Sequence, residues 1–92
     1  METKPGNAPR AAARYLFVCY ANLQRSPTAE EYCRRAAAQR ALPITVASAG
    51  ISPFAVRPVT RAIADQADRI FVMEEYMKDR LIADHQQPGD KI

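Results

Sequence analysis

The chain alternates short apolar runs with longer stretches in which apolar residues recur at helical spacing. Tyr15-Leu16-Phe17-Val18 is a continuous β-prone run, the pattern of a strand buried on both faces of a parallel sheet. Beyond it, Ala29, Tyr32, Cys33, Ala36 and Ala37 fall at i, i+3, i+4, i+7 and i+8, which marks one face of a helix starting near Ser26-Pro27. Serine suits the N-cap, proline the first helical position, and Glu30 and Glu31 the positive end of the dipole. Pro43 bars any continuation. Ile44-Thr45-Val46-Ala47-Ser48 predicts a second strand, stopped by Gly50, and residues 51–58 with Pro53 and Pro58 predict a loop. A second helix is expected over 59–67, with Val59, Ile63 and Ala67 on one side. Arg69-Ile70-Phe71-Val72-Met73 predicts a third strand, again apolar on both faces. Glu74-Glu75 open a third helix that turns Met73, Met77 and Leu81 inward. After a turn at Pro88-Gly89, a fourth strand would open at Lys91-Ile92.

Strand and helix alternating three times predict an α/β fold, an open parallel sheet with flanking helices in three layers. Such sheets place ligands at the carboxyl ends of their strands. Residues 1–14, rich in Pro, Gly, Ala and charge without an apolar period, predict a disordered tail. Residues 15–92 then form a single domain.

Composition narrows the function. The net charge is +3, but residues 1–14 hold three of the thirteen basic residues and one of the ten acids. The rest is close to neutral and has no aromatic-plus-basic stretch, which argues against a nucleic-acid partner. No apolar run approaches the ~18–20 residues of a membrane span. Two cysteines, Cys19 and Cys33, make no disulfide framework. A reducing, cytoplasmic setting is the expectation, and there a cysteine in a special context is more often chemical than structural.

That context is Cys19-Tyr20-Ala21-Asn22-Leu23-Gln24-Arg25-Ser26. The first strand delivers a cysteine, a five-residue loop delivers an arginine, and a serine follows at the helix start. A loop feeding a helix N-terminus presents unpaired N–H groups and a positive dipole to an anion. Tyr20, Ala21, Asn22, Leu23, Gln24 and Arg25 are therefore the candidate phosphate-binding residues. Arg25 can clamp two phosphate oxygens with its planar fork. The same field lowers the Cys19 thiol pKa, so a nucleophilic thiolate is present at neutral pH. Ser26 is placed to hydrogen-bond the sulfur, and Asn22 tolerates the left-handed conformation and ties the loop to its neighbours. Cys19, Arg25 and Ser26 are the candidate catalytic residues.

The same residues carry a resemblance. Leu16-Phe17-Val18-Cys19, Asn22 and Arg25-Ser26-Pro27-Thr28-Ala29-Glu30 follow a strand and C-x(2)-N-x(2)-R-S-P-x-A-E. With Ser48-Ala49-Gly50 and Asp68-Arg69-Ile70-Phe71-Val72-Met73 downstream, the chain resembles the low-molecular-weight protein-tyrosine-phosphatase family over residues 14–92. The resemblance implies a phosphatase-I-like α/β domain, C-terminally shortened and lacking the last strand and helix. It implies attack by Cys19, a phosphocysteine intermediate and then hydrolysis. Phosphotyrosine on a protein, or a small aryl phosphate, is the implied substrate, with no metal and no organic cofactor. The chain departs from the family at three places. Ala21 replaces the usual glycine. Gln24 stands where many members have a second cysteine. The general-acid aspartate lies in a loop after the fourth strand, and Asp90 is not the matching position, so no residue here is assigned that role.

The alternative is a phosphate- or phosphotyrosine-binding module that keeps the loop without the acid. Thiol-based arsenate reduction is disfavoured, because Cys33, about two turns along the helix face, suits packing better than resolving a disulfide. Tyr20 and Phe54 are possible walls for a substrate ring. His85 reads as solvated, and Asp65 and Asp68 as helix-end and turn residues. The third strand, left without a neighbour on one side, suggests self-association through that edge.

Overall fold

The computed structural model describes residues 13–92. Strands β1 (Ala13–Cys19), β2 (Ile44–Gly50) and β3 (Arg69–Val72) alternate with helices α1 (Arg25–Gln39), α2 (Arg61–Gln66) and α3 (Tyr76–His85). The strands form one sheet in the order β2-β1-β3, both pairs parallel. The expected open α/β sheet is therefore present, with β1 at its centre and the loop after β1 at its carboxyl edge.

The strand begins two residues earlier than the apolar run suggests. Ala13 and Arg14 belong to β1, because the Ala13 N–H donates to Pro43 O and Asp68 pairs with Arg14 through both backbone and carboxylate. The rest of the expected tail, residues 1–12, lies outside the described residues.

Neither β1 nor β3 is buried on both faces. Leu16, Val18 and Ile70 point to one side and are essentially inaccessible. They pack with Ala49, Val59, Ala64, Met77 and Leu81, so α2 and α3 cover that face. Tyr15, Phe17 and Phe71 point to the other side, where Phe71 meets Tyr15 edge-on at 5.2 Å and stacks on Phe17 at 5.1 Å. There α1 covers mainly β2 and β1, and Phe71 stays 40% exposed. A continuous apolar run cannot distinguish full burial from half-burial when the outer face is aromatic.

The helices also differ in detail from their sequence patterns. Gln24, not Ser26, occupies the cap position of α1. Tyr32 is 77% exposed and leaves the predicted stripe, whose inward residue is Ala37. The second helix is shorter than 59–67: Thr60 caps it by accepting the Ile63 N–H on its hydroxyl, at 3.1 Å. In α3, Met77 and Leu81 are fully buried as their spacing predicts. No fourth strand opens at Lys91-Ile92. Gly89–Lys91 is a 3-10 turn, and Ile92 folds back on the core.

Candidate active site

Cys19 ends β1 with its side chain buried, and the loop turns immediately at Asn22, whose φ is 57°. Asparagine tolerates this left-handed conformation better than most residues, at a cost of roughly 1–3 kcal/mol that surrounding contacts must offset. Ala21 has no positive φ, so alanine replaces the family's glycine there without backbone strain.

The contacts that hold Asn22 form one hydrogen-bonded chain with a single direction. Glu30 is an acceptor only, so the Ser48 hydroxyl donates its proton to the Glu30 carboxylate, at 2.5 Å. The Ser48 oxygen then accepts from the Asn22 side-chain amide at 3.0 Å, and the same amide donates to the Ser26 oxygen at 2.8 Å. That leaves the Ser26 hydroxyl proton for Cys19 Sγ, 3.0 Å away, with Ala49 O more distant at 3.5 Å. The Asn22 backbone N–H adds a second donor to the sulfur at 3.1 Å. Ser26 and Ser48 are both buried, and Arg34 pairs with Glu30 at the outer end.

These donors decide the state of the thiol. Burial pushes the Cys19 thiol up, but the Ser26 hydroxyl and the backbone N–H groups of Ser26, Asn22 and Leu23 outweigh it and hold the thiol below its ordinary value. They stabilise the charged sulfur, so the thiolate is favoured.

The segment after β2 fastens the loop from outside. Ile51, Ser52 and Val56 donate their N–H groups to the carbonyls of Cys19, Tyr20 and Ala21, at 2.9, 2.9 and 3.1 Å. Gly50 sits at the crossing. A Cβ there would lie 2.5 Å from Ala55 Cβ and 2.6 Å from Tyr20 O, so only glycine permits this approach.

A shallow cleft opens over the loop, lined by Cys19, Tyr20, Ala21, Leu23, Gln24 and Arg25. Arg25, half exposed, reaches the Glu74 carboxylate at 3.4 Å. An exposed pair of this kind is worth ~0–1 kcal/mol, little enough to yield to a phosphate dianion. The structure thus brings together all the residues that the sequence singled out from Cys19 to Ser26. It leaves Phe54 94% exposed and outside the cleft lining, with Cys33 half-buried on α1 as a free thiol. His85 lies at the far end of α3. Sequence reasoning gave Ser48 and Glu30 no task at the active site: Glu30 stood as a dipole complement and Ser48 as a motif position. The available signal was Asn22 itself, whose side chain needs partners once its backbone is left-handed.

No curated protein sequence matches the chain. Among solved structures, a YwlE mutant from Bacillus subtilis superposes with a TM-score of 0.78 at 25% identity, over 87% of this chain and 69% of that one. A low molecular weight protein tyrosine phosphatase from Bacillus subtilis, solved in solution, gives 0.77 at 24% identity, over 85% and 67%. A mutant of the YwlE arginine phosphatase with a phosphorylated active-site serine gives 0.76 at 25%, over 85% and 66%. The chain therefore spans roughly two thirds of each. The family model for low molecular weight phosphotyrosine protein phosphatase matches residues 14–66, a stretch that contains the loop, the Asn22 chain and the Gly50 crossing. The chain belongs to that family, and is a hydrolase of phosphoric monoesters that works through a cysteine.

Proposed function

We propose that Cys19 attacks the phosphorus of an aryl phosphate, phosphotyrosine on a protein above all, while the 19–25 loop and Arg25 hold the phosphoryl oxygens. The observation that carries this reading is the directed chain from Glu30 to Cys19, which ends on a donor aimed at the sulfur. In the first step the Sγ lone pair forms the S–P bond and the P–O ester bond breaks, its electrons leaving on the phenolate. Water then attacks phosphorus, the P–S bond breaks, and the thiolate returns to its donors with inorganic phosphate released. Ser26 acts twice, steadying the sulfur as nucleophile and as leaving group.

The cleft lining supports an aryl ester over a phosphorylated guanidine. Tyr20 and Leu23 give it apolar, exposed walls. None of its lining residues is a carboxylate, and the neighbouring Glu74 carboxylate is paired with Arg25. The same lack leaves no carboxyl group among the cleft-lining residues to protonate the departing phenolate. General acid catalysis is worth ~10²–10⁴-fold, so good leaving groups should turn over freely and phosphotyrosine slowly. This observation also favours the second reading, a module that binds phosphotyrosine more readily than it hydrolyses it.

We further propose cytoplasmic residence, a single catalytic domain, and self-association through β3. No helix among the described residues is long and apolar enough to cross a membrane. The outer edge of β3 carries no strand among the described residues, and Phe71 stands exposed beside it.

The test is a leaving-group series: aryl phosphates of rising phenol pKa, a phosphotyrosine peptide and a phosphoarginine peptide. Rates should fall steeply with phenol pKa, with phosphotyrosine above phosphoarginine. A flat series, or preference for phosphoarginine, overturns the reading.

A further inference from the structure

A second cavity lies toward the amino-terminal ends of the strands, away from the phosphate loop. It measures about 350 Å³, and Arg14, Leu16, Thr45, Ala47, Arg57 and Ile63 are among its lining residues. Element lengths explain it. The register places Arg14 opposite Thr45 and Leu16 opposite Ala47, so these four share the face on which α2 packs. A helix of six residues reaches about 9 Å, whereas β1 and β2, seven residues each, run roughly 23 Å. The helix therefore closes one wall through Ile63 and leaves the beginnings of β1 and β2 as floor.

Two cations stand at this cavity. Among the described residues, the arginines engaged in ion pairs are Arg25, Arg34, Arg35, Arg61 and Arg80. Arg14 and Arg57 have no carboxylate partner there, and the carboxylate near Arg14, that of Asp68, accepts the Arg14 backbone N–H. No acidic side chain lines the cavity. An apolar floor bordered by two exposed arginines suits a ligand with an apolar body and an anionic end. The volume falls in the range of small-molecule sites.

We propose that this cavity is a second ligand site, for a compact amphipathic anion: a flat or branched hydrocarbon body bearing one carboxylate or phosphate. None of its lining residues belongs to the loop that holds the substrate phosphate, so the proposal is independent of the phosphatase reading.

The probe is 2-naphthoate, titrated into the isotope-labelled full chain with saturating inorganic phosphate to occupy the loop, and followed by amide chemical shifts. Saturable shifts at Leu16, Ala47 and Ile63 are expected. Their midpoint should move at least about tenfold higher in Arg14→Gln/Arg57→Gln, as loss of charge-assisted bonds predicts, and 2-methylnaphthalene should fail to saturate. Arg57→Gln alone, at an exposed position, should show an intermediate shift of the midpoint. The proposal is overturned if these amides do not respond at millimolar probe. It is equally overturned if shifts appear only at residues 19–25, or if the arginine variants keep the wild-type midpoint. The probe has no phosphoric ester, so its failure leaves the phosphatase reading standing.

Discussion

At the residue scale, the proposed mechanism divides attack from binding: Cys19 would supply the electrons, and the loop N–H groups with Arg25 the cradle. Cys19→Ser should abolish turnover of an activated aryl phosphate while vanadate still binds, measured by competition or calorimetry. More than a few per cent residual rate would place the nucleophile elsewhere. Arg25→Lys should lose nearly as much as Arg25→Ala, about 10²–10³-fold in kcat/KM, because a point charge cannot donate two parallel hydrogen bonds. The pH dependence follows from the sign of the Cys19 shift. Donors to the thiolate favour the charged form, so removing one raises the thiol pKa. Ser26→Ala should therefore move the acid limb of the kcat/KM profile, and the thiolate absorbance midpoint, to higher pH. An unmoved limb would mean that Ser26 does not donate to the sulfur. Cys33→Ser should keep its activity, with at most a loss of stability, since Cys33 packs along α1 away from the cleft.

At the element scale, the loop is held by its neighbours rather than by its own propensity. Asn22→Ala loses two side-chain hydrogen bonds and puts alanine at φ 57°. It should cost about 1–3 kcal/mol in denaturant melts as well as activity. Asn22→Gly keeps the backbone conformation but not the bonds. It should recover most of the stability and little of the rate, which separates the conformational task of Asn22 from its polar one. Order of elements, sheet class and the loop were legible because each rests on local chemistry: Pro27 and Pro43 bound a helix, and Gly50 ends a strand. What was not legible depends on partners distant in sequence. Ser26 looks like an N-cap until Cys19, Asn22 and Ala49 are brought around it. Glu30 looks like dipole complement until Ser48, eighteen residues on, meets it. Tyr15, Phe17 and Phe71 look like core because an aromatic residue on a half-covered face has the same letters as one inside.

At the scale of the whole molecule, the two sheet faces are unequal. The α2/α3 face holds the fully buried Leu16, Ile70, Met77 and Leu81, where Leu81→Ala should cost ~2–5 kcal/mol. The other face leaves an aromatic row beside the outer edge of β3, and such an edge offers a template for pairing with other chains. Sedimentation should show concentration-dependent association that Phe71→Lys suppresses. A monodisperse monomer at high concentration, with a sharp cooperative melt, would contradict association through β3. The claim on which residue, loop and sheet converge is that Cys19 becomes phosphorylated during turnover. It is tested most directly by acid-quenching the full chain during hydrolysis of p-nitrophenyl phosphate and mapping the phosphoryl group by mass spectrometry. One phosphoryl group is expected on the peptide containing Cys19, absent in Cys19→Ser. Turnover without that adduct, or an adduct on Cys33, would contradict it.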